Sequence, residues 1–230
     1  MNSSASHLNV SDGYKLITNH IINSCPFAFS RFNDGEIKAI SHGEGVVVAR
    51  GKQIVAPSLK KALIESLSFK QDNYLVGIPC SSCWPKMHKF AFKYLRGKSL
   101  NCMALQNRNY SKFLEFSKKE LLNKKNIWIG GNTQSPKNLP FPIFDSKLVE
   151  VCDSWRYYKE LFSFCLQCPQ SSIILISLGP TARVLCQKVF QKRPDLTLID
   201  AGTLFSPYTE GIKYAYHNNN GRPKCKECAF

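Results

Sequence analysis

Three short segments of the chain combine carboxylates, small turn residues and cations in ways that suit a bound metal or anion. In Ser30-Arg31-Phe32-Asn33-Asp34-Gly35-Glu36 two carboxylates are separated by one small residue, so both can point the same way from extended or turn backbone. Hard oxygen donors placed like this suit Mg²⁺ or Mn²⁺ shared with a diphosphate, and Gly35 leaves room for a ligand against the backbone. The plainer reading is a pair of acids in a first helical turn, where they stabilise the positive end of the dipole. From Ile173 to Arg183 an apolar run ends in Gly179, Pro180 and Thr181. N–H groups at such a helix start can hold an anion, with Thr181 adding a hydroxyl and Arg183 a charge. The alternative is tight strand-to-helix packing with proline at the first helical position. The run lacks the three glycines of a dinucleotide fingerprint and the lysine of a P-loop. In Leu198-Ile199-Asp200-Ala201-Gly202 a carboxylate follows an apolar run, either as a functional group or as the cap of the next turn.

Each segment needs a strand that ends at one edge of a sheet, and the chain alternates short apolar runs with longer amphipathic ones. That is the pattern of repeated βα units around a mainly parallel sheet flanked by helices, a Rossmann-like α/β fold. Strands are predicted at 27–32, 46–49, 73–79, 100–106, 126–131, 172–179 and 196–202. Helices are predicted at 11–23 with Ser11 or Asp12 as cap, from Asp34, from Pro57, at 84–97 with Gly97 as stop, at 109–125, at 147–168 and from Pro180. Residues 132–145 hold three prolines and little periodicity, which reads as a long surface loop of the sort that covers a site. The whole chain, 1–230, reads as a single domain with a core over about 11–211 and a polar, Cys-containing tail at 212–230.

The 230 residues are 43% hydrophobic and 20% charged, which excludes intrinsic disorder. No apolar run approaches the ~18 residues of a membrane span, and the first residues have neither the basic start nor the apolar centre of a secretory signal. A soluble protein of a reducing, cytoplasmic compartment is therefore expected. Thirty-one Lys plus Arg against sixteen Asp plus Glu leave a formal charge of +15, a field that attracts anions without choosing among them. Ten cysteines include three Cys-x-x-Cys pairs: Cys80 with Cys83, Cys165 with Cys168, and Cys225 with Cys228. A structural zinc would need two pairs brought together, and their separations far exceed the spacing of a zinc ribbon. Cys165 and Cys168 read as small hydrophobes sharing a helix face, and the tail pair is the better candidate for metal or redox chemistry.

Taken together, RFNDGE, GIP at 77–79, LGPTA at 178–182 and IDAG at 199–202 resemble, in order and spacing over about 27–211, the GT-D type of glycosyltransferase. Members of that family, formerly a domain of unknown function, typically show Arg-Phe-Gly-Asp-Gly-Glu. Asn33 stands where glycine is usual, and Thr203 where related members often place a histidine. The resemblance implies a metal-dependent enzyme that moves a sugar from a nucleoside diphosphate sugar, UDP-linked, to a hydroxyl of a glycan or glycoprotein acceptor. Asp34 and Glu36 would carry Mn²⁺ or Mg²⁺ and the donor diphosphate, with Arg31, Asn33, Gly35, Gly179, Pro180 and Thr181 around the donor.

Such chemistry needs a cation at the departing phosphate and a base at the incoming hydroxyl. Asp200 is the candidate base; Glu210 and His217 are further possibilities, while His88 reads as a surface residue. Tyr208, Tyr214 and Tyr216 can stack on sugar rings or cover a core edge. The rival reading, from another class, is a basic nucleic-acid-binding module with a Cys-x-x-Cys metal site and no catalysis. Against nucleic acid as partner, the basic residues are spread over several helices and no reader motif is present.

Overall fold

A computed structural model describes residues 7–41, 47–48, 53–214, 225 and 228. Its frame is an eight-stranded sheet formed by β1 (His7–Leu8), β2 (Ala28–Arg31), β5 (Tyr74–Ile78), β6 (Lys98–Asn101), β7 (Asn126–Gly131), β8 (Asp145–Val149), β9 (Ile173–Ile176) and β10 (Thr197–Asp200). The strand order is β1-β6-β5-β2-β10-β9-β7-β8, and every neighbouring pair runs parallel. A separate antiparallel pair joins β3 (Val47–Val48) to β4 (Gln53–Ile54). The helices are α1 (Val10–Ile22), α2 (Asp34–Ser41), α3 (Pro57–Ser68), α4 (Pro85–Tyr94), α5 (Tyr110–Glu120), α6 (Tyr158–Gln167), α7 (Pro180–Lys192) and the short α8 (Ser206–Thr209).

Strands buried on both faces read as continuous apolar runs, and period-two alternation distributes their side chains between two cores. Ala28, Val76, Ile174, Ile176 and Leu198 join the core under α2, α3, α4, α6 and α7. Phe29, Leu75, Leu175 and Ile199 point the other way, toward α1 and α5. The expected α/β architecture is thus present as a helix–sheet–helix sandwich. β2 and β10 lie side by side at its centre, where the connections diverge to either half of the sheet. In open parallel sheets the crevice at the carboxyl ends of such strands is where ligands collect.

Several boundaries differ from the sequence expectation. Residues 147–168 are not one helix: β8 pairs with β7, a 3₁₀ segment covers Val151–Tyr157, and only then does α6 begin. Of β8 only Val149 is buried, so as an edge strand it has no apolar alternation to reveal it. The cap of α1 is Asn9, whose side chain accepts from the Asp12 N–H at 2.9 Å, rather than Ser11 or Asp12. The strand placed at 100–106 starts at Lys98 and stops at Asn101, where the Asn101 side chain accepts the Met103 N–H at 3.0 Å and turns the chain. The helix expected to stop at Gly97 ends at Tyr94. Tyr216, His217 and the flanks of the strand expected at 46–49 lie outside the described residues. Among the described residues no helix is long and apolar enough to cross a membrane.

Leu175 is fully buried on β9, between β10 and β7. Leu175→Ala removes methyl groups from a close-packed interior and is expected to cost about 3 kcal/mol. Urea unfolding with an unchanged m-value checks it.

Candidate active site

The site begins with a buried ion network at the carboxyl ends of β2 and β10. Arg183, in the first turn of α7, is 3% exposed. Its Nη2 lies 3.2 Å from Glu36 Oε1 and its Nε 2.9 Å from Asp200 Oδ2. The same guanidinium donates to the carbonyls of Arg31, at 2.8 Å, and Gly179. Asp200 Oδ2 also accepts the Arg31 N–H at 3.0 Å, and Glu36 Oε2 accepts the Asn33 N–H at 3.0 Å. One cation therefore ties β2, β10, the turn into α2 and the turn into α7 together. Desolvated charges are tolerated only when paired and hydrogen-bonded in this way.

Above this network opens a cavity of about 700 Å³ whose wall includes Arg31, Asn33, Asp34, Gly35, Glu36, Gly179 and Gly202. Gly179 has φ of 52° at the cap of α7, in the left-handed region that glycine occupies without strain. Gly202 has φ of 49°, and a Cβ there would lie 2.1 Å from Arg31 Nη2, so only glycine leaves space for that guanidinium. Asp34 faces the cavity with its side chain 48% exposed, paired at 3.6 Å with Lys38 one turn along α2. Glu36 is its opposite, 7% exposed and bonded on both oxygens.

The structure brings Arg31, Asn33, Asp34, Gly35, Glu36 and Gly179 to one cavity and leaves Pro180, Thr181 and Asp200 out of its wall. Thr181 is 1% exposed, and its hydroxyl shares a 2.8 Å hydrogen bond with Ser154. It therefore packs α7 against the 3₁₀ segment instead of offering a donor to an anion. Pro180 is buried as the first residue of α7. The Asp200 side chain has no exposure. Burial pushes its carboxyl up from the ordinary carboxylate range, against the pull of the Arg183 and Arg31 guanidiniums. Asp200 thus lies beneath the cavity wall, against Arg183 and the Arg31 backbone. Arg183 is likewise committed to internal pairing.

The far wall was less visible from the sequence. Gln134 accepts the Gly131 N–H at 3.0 Å and donates to Ser177 Oγ at 3.0 Å and to Glu210 Oε1 at 3.2 Å; Ser177 donates to the Gly202 carbonyl at 2.7 Å. The long loop at 132–145 thus does reach the site, through Asn132, Thr133 and Gln134. Glu150, Glu210 and Tyr214 also line the cavity. Gln134 and Ser177 sit just past β7 and β9, so the carboxyl-edge rule was the available signal for both. His88 is not there: its Nδ1 is 2.8 Å from the Pro79 carbonyl. Cys102, whose Sγ is 3.6 Å from Asn33 Oδ1, is an inert thiol, pushed by burial up to about 12.

Charge decides what such a cavity can accept. Its lining carries Asp34, Glu36, Glu150 and Glu210 against Arg31 and Arg183, a formal −2 within a chain of +15. An isolated diphosphate meets net repulsion there, whereas a divalent cation does not.

No family model matches the chain, and no curated protein matches its sequence. Solved structures do match its fold. One, a selenomethionine form of domain of unknown function 1792, superposes with a TM-score of 0.70 at 21% identity, covering 90% of this chain and 81% of the other. A second, described as showing that domain 1792 has a distinct glycosyltransferase fold, gives 0.67 at 22% identity with the same coverages. A third, described as a new glycosyltransferase from Streptococcus sanguinis, gives 0.64 at 20% identity over 89% and 83%.

The two acids of the turn are expected to separate on substitution. Glu36→Gln removes one partner of a buried ion pair and should cost about 3 kcal/mol. Asp34→Asn breaks only an exposed helix pair and should cost below about 0.5 kcal/mol. Chemical denaturation of both variants side by side measures the difference. The chain has the fold of domain 1792, the one described as a distinct glycosyltransferase fold.

Proposed function

We propose that this protein is a glycosyltransferase that moves a sugar from a nucleoside diphosphate sugar, UDP-linked, to a hydroxyl of a glycan or glycoprotein. The observation that carries the reading is the acid-rich cavity at the carboxyl ends of β2, β9 and β10, in a chain whose fold is shared with structures described as glycosyltransferases.

Carboxylate oxygens in the wall of this cavity suit a hard divalent ion, Mn²⁺ or Mg²⁺. Asp34 offers an exposed carboxylate. Both Glu36 oxygens already accept, from Arg183 and from the Asn33 N–H, so Asp34 would be the principal ligand and Glu36 would fix the turn that carries it. When bound, the ion would supply Lewis acidity and offset charge on the departing diphosphate. The amino end of α7, with Gly179 in the cavity wall, adds the partial positive charge of its dipole toward the same anion. Arg31, given room by the missing Cβ of Gly202, is the protein's own cation for the donor phosphates. Glu36 and Asp200 hold Arg183, and through it the relative position of both turns.

For the base we assign Glu210. It faces the cavity, and its Oε1 accepts from Gln134, which orients one oxygen and leaves the other to take the proton of an acceptor hydroxyl. Gln134 is fixed in turn by the Gly131 N–H and Ser177. Tyr214, in the same wall, offers an aromatic face for a sugar ring or a base.

The test is turnover of nucleotide sugars by the full chain, with and without Mn²⁺. Wild-type protein is expected to hydrolyse or transfer a UDP-sugar only with the ion. Asp34→Asn and Glu210→Gln should each lower kcat by about 100-fold or more with circular dichroism unchanged. Full turnover in both variants removes these residues from the mechanism. Tight RNA or DNA binding with a steep salt slope, and no response to nucleotide sugars, would favour the nucleic-acid module instead.

A further inference from the structure

Outside the cavity the fold brings together four cysteines from opposite ends of the chain. Cys80 and Cys83 lie in the turn between β5 and α4, and Cys225 and Cys228 in the tail. Their four sulfurs all lie within 4.8 Å of one another. Cys225 Sγ is 3.6 Å from Cys80 Sγ and 3.4 Å from Cys83 Sγ. A disulfide places its sulfurs about 2.05 Å apart. A tetrahedron of sulfurs around zinc, with bonds of about 2.3 Å, has edges of about 3.8 Å. The observed separations match the second arrangement and not the first.

The surroundings also treat these sulfurs as electron-rich acceptors. The backbone N–H of Cys228 points to Cys225 Sγ at 3.4 Å, and Asn101 Nδ2 points to Cys228 Sγ at 3.6 Å. Asn101 is fully buried, and its Oδ1 is occupied by the Met103 N–H, so its amide is locked with the NH₂ toward sulfur. Hydrogen bonds of this kind orient metal-bound thiolates. Asn107 holds the Cys228 carbonyl at 3.1 Å, and Val10 packs with Cys80 and Cys228. The third pair is different. Cys165 is buried in the main core, and the Cys168 sulfur donates to the Phe164 carbonyl at 3.4 Å. Spacing alone therefore does not make the site; convergence does.

We propose that Cys80, Cys83, Cys225 and Cys228 bind one Zn²⁺ as a closed tetrathiolate that fastens the tail to the turn after β5. Four soft sulfur donors select zinc over the hard ions suited to Asp34, and four protein ligands leave no open position for catalysis. Each thiol gives up its proton to the solvent on binding, and the completed site carries a formal −2. Arg222, Lys224 and Lys226 flank the tail pair in sequence. A small cavity of about 160 Å³ is lined by Cys80, Cys83 and Cys228 together with Asn33 and Asp34, so the clamp adjoins the acidic turn. The assignment stands independently of the proposed sugar transfer.

The full chain, purified from zinc-replete cells, is expected to hold one zinc by elemental mass spectrometry. An organomercurial that caps thiols should release that zinc to a chromogenic chelator. The Cys225→Ser/Cys228→Ser double variant should lose the metal and melt at lower temperature, while Cys25→Ser, at an exposed cysteine, should keep it. Because the double variant can also fail to fold, Co²⁺ is exchanged into the wild-type chain. The intense ligand-field and sulfur-to-metal bands of tetrahedral cobalt thiolate are expected. Substoichiometric zinc with no such cobalt spectrum overturns the proposal, as does zinc retained by the double variant. An iron-loaded red protein, or a mass showing these cysteines oxidised in pairs, overturns it equally.

Discussion

The structure depends on one buried guanidinium. Arg183 meets carboxylates of Glu36 and Asp200 and carbonyls of Arg31 and Gly179, so three chain segments, around residues 31–36, 179–183 and 200, share one cation. Its own backbone carbonyl is held as well, by the hydroxyls of Ser30 at 3.1 Å and Ser66 at 2.8 Å. In a low-dielectric interior, removal of any member leaves its partners charged and desolvated. This constraint sets the distance between the amino ends of α2 and α7, and those ends frame the cavity.

From that constraint follows a division of labour between two acids only two residues apart. Asp34 projects into solvent at the cavity, whereas Glu36 turns inward to Arg183. A helix places successive residues about 100° apart, so i and i+2 face nearly opposite ways. Because α2 starts at Asp34, the pair cannot present two equally exposed carboxylates. The acid-rich wall is completed from the other side by Glu150 and Glu210. A basic chain thereby carries a locally acidic pocket, and the contrast favours a cation-dependent anionic ligand. The surplus positive charge lies elsewhere, on exposed lysines such as Lys86, Lys89 and Lys93 of α4.

The sulfur cluster and the acidic turn are neighbours at a small cavity, yet their chemistries do not compete. Hard carboxylate oxygens and soft thiolates sort different metals. The turn after β5 reaches both, since its cysteines sit at the same carboxyl edge of the sheet as the end of β2. An open parallel sheet concentrates function on that edge because every one of its strands points there.

The layered architecture and the positions of its central strands were legible in the sequence, because fully buried strands leave uninterrupted apolar runs such as 73–79, 126–131 and 172–179, whereas the order in which those strands pair was not. Edge strands were not, since β1 and β8 bury too little to leave a pattern. At the site, residue types alone identified Asp34, Glu36 and Gly179 as neighbours of the carboxyl edge. Which acid faces solvent, that Thr181 bonds Ser154, and that Asp200 is sealed beneath Arg183 were decided by packing between segments up to 169 residues apart. Likewise, three identical Cys-x-x-Cys spacings are equivalent as sequence, and only the folded chain brings two of them together and buries the third in a core. Local patterns report what a segment buries; they carry no information about which distant charge or sulfur will be waiting where it is buried.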